Sequence, residues 1–185
     1  MSNTREKLST TTIGLHWLLA AGMIGMLAFG LYLEDLPRSP DKAQLIGIHK
    51  TIGIVVLIAA LVRLMWRRID PYPDQVGSYT LREQRLSKIV HILLLIGTVL
   101  LPLSGIMMSL GGGYPVPVLG LFDIVPFGKN EFVANIGHIG HGLGVKILIA
   151  AIVLHIAGAL KNHITDKDGT IGRMAGKRVE IADKA

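Results

Sequence analysis

The sequence predicts an all-α integral membrane protein, a bundle of four transmembrane helices, on three observations. Half of the 185 residues are hydrophobic and the mean hydropathy is +0.51, which is more apolar than soluble domains of this size. Two stretches, 8–33 and 89–122, contain no Lys, Arg, Asp or Glu. Uncharged runs longer than about 18 residues indicate membrane spans. Two further apolar segments bring the predicted number of helices to four.

The four helices are predicted at residues 12–33, 43–62, 89–110 and 136–160, in a single transmembrane domain that covers 1–185. Each is long enough to cross a hydrocarbon core of about 30 Å. The first is too long for the apolar region of a cleavable signal peptide and has no convincing small-residue cleavage site. We therefore interpret it as a retained span.

The three connections differ in character. Residues 34–41 form a short loop with two prolines, and residues 69–81 form a polar turn. Residues 111–135 form the longest loop, in which glycines and prolines stand among Val, Leu and Phe. We expect this apolar loop to lie at the outer interface of the bilayer, in a position to roof a site.

The distribution of basic residues predicts the orientation. The N-terminal arm, the segment 63–88 and the C-terminal tail together carry 14 Lys and Arg, whereas the other side of a four-span protein carries four. The positive-inside rule therefore places both termini in the cytoplasm. It also explains the sequence pI of about 9.7 better than nucleic-acid binding does.

The absence of cysteine limits the possible cofactors. It excludes disulfides, thiolate metal sites and the covalent attachment of c-type haem. Any haem must therefore be of the b type, held by side-chain ligands alone.

Histidines are the main functional signal, because a histidine inside a membrane span is costly and usually functional. By depth, they form two layers. His16 and His155 lie near the cytoplasmic side, and His49 and His141 lie near the outer side. Two imidazoles on facing helices can hold one haem iron between them. The sequence therefore predicts an inner haem on His16 and His155 and an outer haem on His49 and His141.

Helix geometry supports this pairing. His141 and His155 are 14 residues apart, which places them on one side of the helix and about 21 Å apart along it. His138 competes with His141 as the outer ligand, but it lies about 100° from the face of His155. Its alternative role is that of an interfacial polar residue.

His91 and His163 are predicted near the cytoplasmic ends of the third and fourth helices. They could replace His16 or His155 as ligands, but a quinone pocket beside the inner haem is the better role. Imidazole titrates near neutral pH and can hydrogen-bond a quinone carbonyl. Ordinary interfacial histidines are the alternative interpretation.

Several basic residues are candidate partners of haem propionates. Arg63 and Arg67 are placed to contact the inner haem, although topology and lipid contact would also explain them. Lys50 and Lys146 are candidates for the outer haem, or reach the headgroups instead. With Arg38, Lys42 and Lys129, Lys50 could also form a positive outer funnel that attracts a small anion.

Four short motifs resemble the bacterial cytochrome b561 family: Gly14-Leu15-His16-Trp17, Ile48-His49-Lys50-Thr51-Ile52-Gly53, Gly140-His141-Gly142 and Leu154-His155. The tail segment 166–174 is similar as well, so the resemblance covers nearly the whole chain. It implies two b haems in a four-helix bundle of the bacterial inner membrane, with electron transfer linked to ubiquinone. Some members of the family oxidise periplasmic superoxide. Some relatives carry a second histidine one turn before the position of His91, where this chain has Lys88.

Two functions therefore compete. In the first, the chain is an oxidoreductase that takes electrons from periplasmic superoxide and reduces ubiquinone. In the second, it is a non-enzymatic conduit, a membrane anchor that links a periplasmic dehydrogenase or cytochrome to the quinone pool. A haem-free transporter or structural membrane protein would fit the helices but would leave the two histidine layers unexplained.

Overall fold

The computed structural model describes residues 7–71, 76–77 and 79–179. Four long helices form most of it: α1 Thr10–Asp35, α2 Pro40–Ile69, α3 Leu81–Gly111 and α4 Glu131–Lys161. All four are long and apolar enough to cross a membrane. The predicted all-α fold of four membrane helices is therefore confirmed, and each helix extends beyond its predicted range.

The helices extend because polar residues cap them outside the apolar runs. The side chains of Ser9, Ser39 and Asn130 accept hydrogen bonds from backbone N–H groups in the first turns of α1, α2 and α4. Thr80 and Glu83 form a reciprocal capping box at the start of α3. Such caps satisfy N–H groups that have no partner within the helix.

The packing brings residues of all four helices into one apolar core. Helix α3 packs along α4 and α1 along α2, while α2 also contacts α3. The core consists of Leu19, Met23, Leu27, Val56, Ala60, Leu101 and Leu148. Along the bundle, most of these residues lie at depths between the two predicted histidine layers. On α4, for example, Leu148 stands between His141 and His155. Large apolar side chains on the outer faces are exposed, as expected of helices surrounded by lipid.

Glycines allow α3 and α4 to approach closely. A Cβ atom at Gly137 would overlap the backbone of Met108, and one at Gly111 would overlap the backbone of Ala134. Small residues at such positions are typical of helix pairs in membranes. The two helices are therefore in contact through their backbones near one end of the bundle.

That end, which we call the outer end, also carries a β-hairpin that the sequence did not predict. Strand β1, Val116–Val118, pairs antiparallel with β2, Phe122–Ile124. The hairpin lies against α2, where Lys50 Nζ donates to the carbonyl of Pro115 at 3.0 Å. It occupies the long apolar loop, and Val116 is almost completely buried.

The opposite end, the inner end, is covered by the C-terminal tail. After α4, a π-helical turn at Asn162–Asp166 leads to the short helix α5 at Thr170–Met174. Asp168 accepts hydrogen bonds from the hydroxyls of Tyr79 and Thr170. Burial and the bond to Asp168 raise the pKa of Tyr79. The tail is thereby fixed to the connection between α2 and α3.

Candidate functional site

Two histidine pairs lie inside the bundle. At the outer end, the ring centroids of His49 on α2 and His141 on α4 are 6.5 Å apart, and the rings are 80° to each other. At the inner end, the centroids of His16 on α1 and His155 on α4 are 6.2 Å apart, with rings at 55°. The structure thus brings together both predicted pairs. Their roles as haem ligands stay a prediction.

The spacing of both pairs fits a metal held between two imidazoles. With metal–nitrogen bonds of about 2 Å, two rings on opposite sides of one metal have centroids roughly 6–6.5 Å apart. Within the described residues, no three His, Asp or Glu side chains are close enough to hold a bare metal ion. Each pair instead offers two ligands, which is the number that a bis-histidine haem takes from protein.

The surroundings of the outer pair fit a haem ligand set. Nδ1 of His141 lies 3.0 Å from the carbonyl oxygen of Leu101 and must donate to it. That bond leaves the lone pair of Nε2 free to bind a metal, as in other metal-bound histidines. Nδ1 of His49 is buried and has no hydrogen-bond partner within the described part of the chain. A buried nitrogen without a partner is costly, so it indicates that a further group belongs there.

Glycines lie beside both rings of the outer pair. A Cβ atom at Gly30 would be 3.3 Å from Cε1 of His49. A Cβ atom at Gly105 would be 3.2 Å from Cε1 of His141. Contacts this short would push the rings aside. The absence of side chains at these two positions therefore helps to set the ring positions.

The inner pair has a different environment. Arg63 Nη2 lies 3.2 Å from Nδ1 of His16, and Trp17 packs edge-on against the same ring, with centroids 5.3 Å apart. The ring of His91 is a third imidazole here, 5.2 Å from that of His155. Arg63 and Arg67 line a small cleft next to His16.

The remaining predicted residues lie further from the pairs. His163 is exposed in the π-helical turn, eight residues beyond His155, and His138 is exposed on α4. Lys146 is also exposed and lies about 140° around α4 from His141. The structure therefore does not bring Lys146 to the outer pair.

The basic residues of the predicted funnel lie at the outer end. Lys50 is directed to the hairpin, where its Nζ is 5.8 Å from the ring centroid of Tyr114. Arg38 is exposed between α1 and α2. Lys129 is exposed as well. Its side chain packs closely over Gly113, where a Cβ atom would be 2.8 Å from the Cγ of Lys129.

Sequence reasoning missed a polar network beside the inner pair. Ser9 and Thr12 donate to Asp70 Oδ2 at 2.6 and 2.8 Å, and Trp66 Nε1 donates to Thr12 at 2.9 Å. Trp17 Nε1 donates to the carbonyl of Met174 at 3.0 Å. Two sequence features could have indicated this network. They are the run of Ser and Thr at the start of the first span and the tryptophans near the ends of the first two spans.

Sequence similarity to known proteins supports membership of the cytochrome b561 family. The sequence profile described as prokaryotic cytochrome b561 matches residues 7–177. Cytochrome b561 homolog 2 of Escherichia coli (strain K12) is 30% identical over 187 residues, which cover 95% of each chain. Cytochrome b561 homolog 1 of the same organism is 28% identical, covering 94% of this chain and 99% of its own. A protein of Yersinia pestis named probable superoxide oxidase CybB is 26% identical, covering 94% and 98%.

The resemblance carried by the histidine motifs is therefore confirmed, and it agrees with the four membrane helices and the paired imidazoles. A b-type haem follows from the family, and the absence of cysteine is consistent with it. The chain belongs to the prokaryotic cytochrome b561 family, whose function is electron transfer across a bacterial membrane.

Proposed function

We propose that the chain holds two b-type haems, one between His16 and His155 and one between His49 and His141, and that it oxidises periplasmic superoxide and reduces ubiquinone. The single observation that carries this proposal is the presence of two imidazole pairs with centroids 6.2 and 6.5 Å apart at opposite ends of one bundle. Haem would supply reversible one-electron chemistry at each end.

The protein positions the two pairs. Helix α4 contributes one histidine to each pair, so their separation is fixed by a rigid helical rise of about 21 Å. Leu19, Met23 and Leu148 belong to the apolar core between the layers. This core excludes water and ions from the region between the two ends, so only electrons are carried between them.

Two features support superoxide as the donor. The relative from Yersinia pestis is named a probable superoxide oxidase. Lys50, Arg38 and Lys129 are proposed to attract a small anion locally, against the carboxylates of Glu34, Asp35, Asp41, Asp123 and Glu131 at the same end. The reaction balances when two superoxide ions each lose one electron to become O₂, and ubiquinone takes up both electrons with two protons.

Ubiquinone is proposed to bind at the inner end. His91 lies beside His155, and its Nδ1 is 3.4 Å from the hydroxyl of Ser87. His91 is closer to the inner pair than His163 is, so His91 is the candidate to hydrogen-bond a quinone carbonyl. His163 is a candidate to deliver protons from the cytoplasm. Arg63 and Arg67 are proposed to pair with propionates at this end. A propionate at the other end is the alternative partner of Lys50, in place of its role in attracting superoxide.

The alternative is a conduit without an enzymatic donor reaction of its own. Two relatives are named only as cytochrome b561 homologs, and the hairpin exposes apolar side chains at the outer end. In that case a periplasmic dehydrogenase or cytochrome would dock there and supply the electrons.

Rapid mixing distinguishes the two functions. The oxidised protein is mixed with superoxide, with and without ubiquinone, and the haem absorbance is followed. We expect reduction within the mixing time and reoxidation when quinone is present. Haem that stays oxidised under superoxide but is reduced by dithionite would support the conduit. A purified protein without a haem spectrum would contradict both functions.

A further inference from the structure

The hairpin at the outer end exposes an apolar surface that the proposed electron transfer does not use. Its exposed side chains are Leu119, Leu121, Phe122, Val125 and Phe127, and Phe127 is fully exposed. Asp123 is the only charged residue between Tyr114 and Gly128. A surface of this kind on a loop in water would be unusual, and it indicates a membrane or protein contact.

We propose that this hairpin inserts its exposed side chains into the bilayer at the boundary between headgroups and acyl chains. The hairpin connects α3 to α4, whose exposed apolar faces already contact lipid. Phe132, Ile136, Ile139 and Leu143 form an exposed stripe that runs along α4 from the base of the loop. The apolar surface of the hairpin therefore continues the lipid-facing surface of the bundle.

The first strand of the hairpin leaves few unpaired backbone groups, which suits an environment with little water. Unpaired N–H and C=O groups are costly in lipid, which normally excludes short open strands. The edge of the first strand that does not pair with β2 faces α2. Pro115 and Pro117 have no N–H group, so they leave no unpaired donor on this edge. The carbonyl of Pro115 accepts a hydrogen bond from Lys50 Nζ at 3.0 Å, and that of Pro117 lies 3.4 Å from Thr51 Oγ1, which also donates to Gly47 at 3.1 Å. The edge that faces α2 is thus satisfied in part by the protein itself.

The tip of the hairpin supports the same conclusion. Leu119 and Gly120 both have positive φ, at 53° and 72°, and the N–H of Leu121 donates to the carbonyl of Val118 at 2.9 Å. Turns of this kind favour Asn, Asp or Gly at both central positions. A leucine in the left-handed region costs conformational free energy, because its Cβ comes close to the following carbonyl oxygen. Burial of its exposed side chain in lipid would offset that cost.

The test uses the natural absence of cysteine. Phe122→Cys and Phe127→Cys are made separately, labelled with a nitroxide and reconstituted as the full chain into phosphatidylethanolamine and phosphatidylglycerol vesicles. Both positions are exposed, so neither substitution disturbs the core. Collision rates with oxygen, which concentrates in lipid, and with a soluble nickel complex report the environment of each label. Leu100→Cys in the middle of α3 is the lipid control, and Asp41→Cys at the start of α2 is the aqueous control at the same end.

We expect the oxygen-to-nickel collision ratio at Phe122 and Phe127 to be several-fold higher than at Asp41 and to approach that at Leu100. A ratio like that of Asp41 would overturn the proposal and would leave the hairpin available to a soluble protein. Low collision rates with both reagents would also overturn it, because they would mean that protein covers the surface. Neither result depends on the identity of the electron donor.

Discussion

His49 and His141 differ in the contacts of their second ring nitrogen. Nδ1 of His141 is fixed by the carbonyl of Leu101, whereas Nδ1 of His49 is buried without a partner among the described residues. Depth and helical spacing were sufficient to predict that these two rings would meet. They gave no sign of the contact with Leu101, because a backbone carbonyl has no sequence signature. Sequence therefore predicts which side chains meet more readily than it predicts how they are oriented.

Single substitutions test the pairing. We expect His49→Ala to halve the ratio of haem to protein while keeping the redox signature of the inner haem, because the outer site then keeps only one of its two axial ligands. His155→Ala should halve the same ratio but keep the outer signature. The measurement is a pyridine haemochrome assay combined with a redox titration of the haem absorbance.

His138→Ala is the matched control on α4, since this histidine is exposed and outside both pairs. It should keep the full haem content. Full haem content in His49→Ala, or loss of one haem in His138→Ala, would show that the outer pair is assigned incorrectly.

The contact between α3 and α4 depends on two glycines at the outer end. At Gly137 any side chain meets the backbone of Met108, which cannot move aside easily. We expect Gly137→Ala to destabilise the fold by about 1–3 kcal/mol, as overpacking does. In a chain of this size that corresponds to roughly 2–12 °C in Tm. Thermal unfolding in detergent, followed by circular dichroism, measures the change.

Gly142→Ala makes the same substitution on the same helix, at a position where a Cβ atom meets nothing within 4 Å. Alanine is the better helix former, so this variant should unfold at the same temperature as the natural protein or slightly higher. Equal melting temperatures for the two variants would mean that close contact at Gly137 does not stabilise the pair.

The elements divide by how strongly the sequence signals them. The four helices were predictable because each contains a long apolar run. Only their ends were predicted too short. The hairpin was not predictable, because its strands have three residues each and the first contains a proline. The tail was interpreted only for its basic charge and its family motif, and its fold was not predicted. Its fold depends on contacts with Tyr79 and Trp17, which are 89 and 157 residues away from their partners in sequence.

At the scale of the whole molecule, the two ends of the bundle differ in charge. The segments at the inner end carry 14 Lys and Arg and those at the outer end carry four, which predicts that the inner end lies in the cytoplasm. Orientation decides the chemistry, because the proposed donor site at the outer end would have to face the compartment that holds the electron donor. A bundle inserted the other way would take electrons from the cytoplasm.

Two single-cysteine variants test the orientation, and the natural chain is a label-free control because it has no cysteine. We expect Arg38→Cys to react with a membrane-impermeant maleimide in intact spheroplasts, because the loop between α1 and α2 would face the periplasm. Lys177→Cys, which is exposed in the tail, should react only after the cells are lysed. The reverse pattern would put the hairpin and the outer histidine pair on the cytoplasmic side, and superoxide from the periplasm would then no longer be a possible donor. Labelling of both positions in intact cells would mean that the chain inserts in both orientations, so that its charge bias is too weak to fix the direction of electron transfer.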